Sequence, residues 1–127
     1  MRRFTDFVHS KGRYCDFHSC GQGLKQVPNM IACGWDSWSG QAMNDTQKVY
    51  ELYGDKIIVG VIPDRFDPAA ITEEEQRAMA RDYADKFCRP DKPSLFGFKG
   101  AAMLTPAFRE ELYRRSRRNY SKKMAFA

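Results

Sequence analysis

His18 and Cys20 are the residues best placed to do chemistry. They close the extended run Arg13-Tyr14-Cys15-Asp16-Phe17 and stand just before Gly21. Side chains at i and i+2 of an extended chain share a face, so imidazole and thiol can point into one space. Neutral imidazole and thiolate are the preferred nitrogen and sulfur ligands of zinc. Two donors do not complete a metal site, and the pair also reads as a buried cysteine beside a hydrogen-bonded histidine. His9 and His18 are the only histidines, which excludes a three-histidine centre. No Gly-x-Ser-x-Gly elbow occurs, and Gly21-x-Gly23 lacks the rest of a dinucleotide fingerprint.

The elements that must carry this pair follow from hydrophobic periodicity. A first strand is expected over 13–18 and a short helix over 24–33, with Leu24, Val27, Met30 and Ile31 on one face and Pro28 interrupting it. Trp35 to Ser39, bounded by Gly34 and Gly40, reads as a second strand. Asn44 or Asp45 caps a helix ending near Tyr53, with Val49, Leu52 and Tyr53 facing inward. The β-branched run 56–62 is the clearest strand and suits a parallel sheet covered on both faces. Thr72-Glu73-Glu74-Glu75 is a capping box opening a helix to about Phe87, with Met79, Tyr83 and Phe87 stacked. A fourth strand is expected over 94–98. Thr105-Pro106 then opens a last helix to about Asn119, with Phe108, Leu112 and Tyr113 inward.

Strand and helix alternate four times with no hairpin signal, which predicts right-handed βαβ units and a parallel sheet. Four such units are half of a (β/α)8 barrel; an open four-stranded α/β sheet is the other solution. In both, chemistry sits where strands end and helices begin. His18, Cys20, Asn44 and Arg65 lie at such positions. Asp36 stands between Trp35 and Trp38, either as part of a pocket wall for a planar ligand or within a strand-to-helix packing pair.

The chain has 127 residues, enough for one modest core, and a formal net charge of +5. That charge is local. Arg114, Arg115, Arg117, Arg118, Lys122 and Lys123 lie beyond the last acid, Glu111, and outnumber the net charge, so the rest of the chain is slightly acidic. Cations at a helix end suit its dipole, and no nucleic-acid partner is expected. No apolar run approaches the ~18–20 residues that span a bilayer, and Met1-Arg2-Arg3-Phe4 lacks a signal-peptide core. No membrane association and a cytoplasmic location are expected. The four cysteines have no disulfide-scaffold spacing and are expected to be reduced.

From Arg13 to Tyr120 the sequence resembles the C-terminal half of the uroporphyrinogen decarboxylase superfamily. The resemblance rests on strand-His18-Ser19-Cys20-Gly21, Gly34-Trp35-Asp36-Ser37-Trp38-Ser39, Gln41-Ala42-Met43-Asn44-Asp45 and Tyr53-Gly54-Asp55-Lys56 before a β-branched strand. It implies a (β/α)8 barrel of which this chain supplies the last four βα units. Residues 1–12 would be a lead-in, 13–120 the half-barrel and 121–127 a basic tail. A complementing half-barrel chain or a homo-oligomer is then an expected partner.

Two chemistries occur in that superfamily. One removes carboxyl groups from a tetrapyrrole without a metal. The other transfers a methyl group to or from a corrinoid, using zinc on a His-x-Cys pair and a later cysteine. His18 and Cys20 match the pair, so the resemblance implies zinc-assisted methyl transfer with a small molecule or a corrinoid protein as substrate. Asp36, Asn44 and Arg65 are the expected substrate contacts. The third ligand is expected near 97–103, where no Cys, His or carboxylate stands. Metal-free decarboxylation and a catalytically silent subunit of a split barrel are the alternatives.

Overall fold

The computed structural model describes residues 2–97 and 105–124. Its elements run α1 (Arg2–Ser10), β1 (Asp16–Ser19), α2 (Val27–Ala32), β2 (Ser37–Gly40), α3 (Thr46–Tyr53), β3 (Ile58–Val61), α4 (Glu73–Phe87), β4 (Leu95–Phe96) and α5 (Pro106–Met124). A 3-10 turn, Leu24–Gln26, leads into α2. The strands form one sheet in the order β1-β2-β3-β4, and every pairing is parallel. The chain is therefore α/β, with strand and helix alternating. Each strand lies beside its successor, whereas a doubly wound sheet reverses direction at a switch point.

The described residues divide into two compact units. The first draws on Met1–Ile62 and Ser94–Gly97, the second on Pro63–Pro93 and Phe98–Ala127.

In the first unit, register assigns the two faces of the sheet. Asp16 pairs with Ser37, Phe17 with Trp38, His18 with Ser39, and Trp38 with Val59. Partners across a parallel pair point the same way, so Phe17, Ser19, Trp38 and Val59 share one face, and Asp16, His18, Ser37 and Ser39 the other. Trp38 is fully buried, and its indole N–H donates to Ser19 Oγ at 3.0 Å. Val27, Val49, Ile57, Val59 and Val61 complete the core of this unit. The opposite face is polar at β1, where Asp16 and His18 are exposed. Parallel sheets are ordinarily covered on both faces, so this face departs from the expected two-sided burial.

The first three strands begin two or three residues later than periodicity suggests and the fourth one residue later; Arg13, Tyr14 and Trp35 precede the first ladder pairing. Pro28 lies in the first turn of α2, where its missing N–H costs nothing, so it starts the helix rather than interrupting it. Asp45 is the N-cap of α3, accepting from the Lys48 N–H at 3.1 Å. The buried face of α3 is Thr46, Val49 and Tyr50; Leu52 is exposed. Thr46 is recruited inward because its hydroxyl accepts the Ile62 N–H at 2.8 Å.

In the second unit α4 opens on Thr72 as the capping box predicts, the hydroxyl accepting from the Glu75 N–H at 3.1 Å, and it ends at Phe87, the expected limit. Its buried face is Gln76, Ala80, Tyr83, Ala84 and Phe87, with Met79 only half-buried. Small alanines let α5 approach closely. From α5, Phe108 and Leu112 are buried but Tyr113 is exposed, and Glu111 takes the inward place. Arg77 and Arg81 reach Glu111 at 3.5 and 3.3 Å, and Arg114 also bonds it. Burial alone would raise the Glu111 carboxyl, but the hydrogen bonds and charges of Arg114 and Arg81 outweigh it and hold it below the ordinary range. Arg115 binds Asp85 with two hydrogen bonds at 2.9 and 2.8 Å, which helps bring that carboxyl down to about 2.

α1 is tied to the end of α2. Thr5, fully buried, donates to the Cys33 carbonyl, and Arg2 donates to the Ala32 carbonyl at 3.1 Å. Gly34 follows with φ of +85°, and a Cβ there would stand 3.0 Å from Thr5 Oγ1. Gly34→Ala should therefore lower stability by about 1–2 kcal/mol, the cost of a left-handed residue with a side chain, plus the displacement of Thr5. A urea midpoint equal to wild type would contradict this placement.

Candidate metal centre

His18 lies in β1, one residue from its end, and its Nδ1 is 2.7 Å from the Ser39 carbonyl oxygen. A carbonyl can only accept, so Nδ1 carries the hydrogen. The neutral ring is then the Nδ1–H tautomer, and Nε2 presents a lone pair. A backbone carbonyl on the far nitrogen is a common way of orienting a metal-ligating histidine. His18 itself is exposed.

Strand pairing stops at Ser19, so the i, i+2 argument does not carry through to Cys20. Cys20 is exposed and borders a cavity of about 270 Å³ together with Phe17, Ser19, Gln26, Met30 and Cys33. Gly21 follows with φ of +82°. Asn44 holds this turn. Its Nδ2 donates to the Gly21 and Gln41 carbonyls, both at 3.0 Å, and its Oδ1 accepts the Gly23 N–H at 2.7 Å. Asn44 is buried, and its bonds to Gly21 and Gly23 reach the loop that carries Cys20, while the bond to Gln41 stays within its own loop. Its contribution in the structure is to position that loop.

Asp36 is turned away from His18. It precedes β2, and its Oδ2 accepts the Cys15 N–H at 2.7 Å and meets His9 Nε2 at 2.7 Å. Burial would raise this carboxyl, but the hydrogen bonds from Cys15 and His9, with the charge of His9, hold it below its ordinary value. The neighbouring thiol moves the other way: burial, and then the Asp36 charge, push Cys15 up. Trp35 packs between Phe4 and Phe17, with ring centroids 5.9 and 4.8 Å away, and Trp38 is core. Arg65 belongs to the second unit and is exposed in the loop after β3.

Among the described residues, one group of three metal-ligating side chains converges: His9, Cys15 and Asp36, whose donor atoms all lie within 4.8 Å of one another. His18 and Cys20 gain no third donor there. Phe98 to Met103, part of the stretch in which the resemblance expects a third ligand, lies outside the described residues. The convergence of His9 with Cys15 and Asp36 is a product of strand register. Cys15 and Asp36 each stand one residue before the Asp16–Ser37 pair, so the ladder sets them side by side. Their equal offset of 21 positions from partner to partner was the available signal, but it is readable only once the pairing is known.

Comparison with protein-family models, with curated proteins and with solved structures found no match. Among the described residues, no helix is long and apolar enough to cross a membrane.

The depressed Asp36 carboxyl makes a pH prediction. A carboxyl whose native pKa lies below its unfolded value stabilises the fold above about 3.8, and that contribution fades as pH falls through the native value. Asp36→Asn should therefore melt below wild type at pH 7, and the gap should narrow as pH is lowered past 4. Thermal melts with a gap that is constant or widens toward acid would contradict the assignment.

Proposed function

We propose that this chain is the C-terminal part of a uroporphyrinogen decarboxylase-like (β/α)8 barrel, and that its site performs zinc-assisted methyl transfer with a corrinoid as donor or acceptor. The observation that carries the reading is the His18–Ser39 hydrogen bond, which leaves Nε2 as a fixed lone pair near a strand end, two residues from an exposed thiol. The sequential parallel sheet supports the half-barrel part of the reading, since a barrel winds strand beside successive strand. The exposed polar face at Asp16 and His18 supports completion by further βα units, because a barrel interior is closed by opposing strands.

Zinc suits this donor pair, and when bound it would keep an acceptor thiol as thiolate at neutral pH. His18 and Cys20 would be its ligands. Ser39 holds the His18 ring through Nδ1, and Asn44 holds the turn that carries Cys20. His18, holding the ion through Nε2, would keep its Nδ1 hydrogen on the Ser39 carbonyl. The fit is incomplete, because these two residues have no third protein donor among the described residues. That same gap favours metal-free decarboxylation of a tetrapyrrole carboxylate as the second reading. Arg65 is the residue this chain would offer to such a carboxylate, by a bidentate contact.

Metal analysis of the purified chain, alone and with any complementing half-barrel, distinguishes the two. Methyl transfer predicts zinc that is reduced by His18→Ala and by Cys20→Ala, with at least tenfold weaker binding in each. A folded assembly whose zinc content is indifferent to both substitutions would sink the zinc reading and leave decarboxylation.

A further inference from the structure

The His9, Cys15 and Asp36 cluster is built differently from the His18 end of the sheet. His9 lies one residue before the end of α1, Cys15 stands at the entry to β1 and Asp36 at the entry to β2. The cluster thus occupies the N-terminal rim of the strands, while His18 lies toward their C-terminal rim. Three segments of the first unit meet there. The donor set is one thiolate sulfur, one imidazole nitrogen and one carboxylate oxygen, all within 4.8 Å. Cys15 is buried, whereas His9 and Asp36 are partly open, with side-chain exposures of 37% and 31%.

We propose that His9, Cys15 and Asp36 bind one divalent transition-metal ion, with water as the fourth ligand, and that this ion fastens α1 to the strand-entry rim. The donor set selects zinc among the abundant divalent ions. Thiolate and imidazole exclude magnesium and calcium, which take oxygen. Tetrahedral zinc with sulfur at ~2.3 Å and nitrogen or oxygen at ~2.0 Å spaces its ligand atoms roughly 3.3–3.6 Å apart. The His9–Asp36 contact of 2.7 Å must open slightly, and His9, on the last turn of α1, can supply the movement. The Cys15 N–H already orients the carboxylate. One thiolate and one carboxylate neutralise the dication.

Proton balance is explicit. The Cys15 thiol releases its proton to solvent as the sulfur bonds the metal. His9 Nε2 donates to Asp36 in the free protein, so it gives up its hydrogen, to solvent or by tautomer exchange to Nδ1. Binding is therefore tighter at higher pH.

The test uses the full chain carrying His18→Ala and Cys20→Ala, so that the site proposed for methyl transfer contributes nothing. Cobalt(II) titration should give one ion per chain, with a near-ultraviolet thiolate-to-cobalt band. Adding His9→Ala, a change at a partly exposed position, should weaken cobalt binding at least tenfold and remove the rise in melting temperature that zinc produces. Adding Cys15→Ser should remove the thiolate band in protein whose circular dichroism is native. A folded double variant without the band, a cobalt affinity unchanged by His9→Ala, or a band that survives Cys15→Ser would overturn the proposal. The zinc content of the His18/Cys20 site does not enter either result.

Discussion

In a parallel ladder, residues opposite one another point to the same face, and the β1–β2 register places Asp16 opposite Ser37 and His18 opposite Ser39. Most of the chemistry in the first unit follows from that alignment. It puts the Ser39 carbonyl where it accepts from His18, and Ser37 Oγ where it donates to Asp16 at 2.6 Å. It brings the Cys15 N–H to the Asp36 carboxylate. A one-residue slip of β1 would exchange its two faces, burying His18 and exposing Phe17. The fully buried indole of Trp38, bonded to Ser19, resists such a slip. Gly40 contributes by its lack of a side chain, since a Cβ there would lie 2.4 Å from the Trp38 ring.

The two ends of the sheet then differ in chemical character. At the C-terminal rim stand an oriented imidazole and an exposed thiol on a turn clasped by Asn44. At the N-terminal rim stand a buried thiol, a carboxylate held as an anion and an imidazole brought by α1. Burial raises the Cys15 thiol, so without a cation it stays protonated and inert. The accessible thiol is Cys20, which is why the proposed group transfer is assigned to the His18 end.

Elements framed by local signals were legible in the sequence. The hydroxyl and carboxylates at 72–75 and the apolar series through Phe87 bound α4 because capping and periodicity are local. Thr105-Pro106 marked the start of α5 for the same reason, its hydroxyl accepting the Phe108 N–H at 3.3 Å. Parallel sheet topology was legible from alternation alone. The buried faces of α3 and α5 were not, because polar Thr46 and Glu111 displace Leu52 and Tyr113. Each is held by partners remote in sequence: the Ile62 N–H for Thr46, and Arg77 and Arg81 for Glu111. For the candidate site the sequence offered residue types alone, the imidazole of His18 and the thiol of Cys20. The role of Asp36, and its meeting with His9 and Cys15, depended on pairing across 21 positions that no local pattern encodes.

The most direct test of the account is the tautomer of His18. With only two histidines, nitrogen-15 imidazole spectra of the labelled chain are simple to assign using His9→Ala. The structure predicts that neutral His18 is the Nδ1–H form, with Nε2 unprotonated, and that zinc shifts the Nε2 resonance. An Nε2–H form, or the averaged signal of a freely exchanging ring, would mean that Ser39 does not hold the imidazole, and the proposed ligand geometry would fall with it.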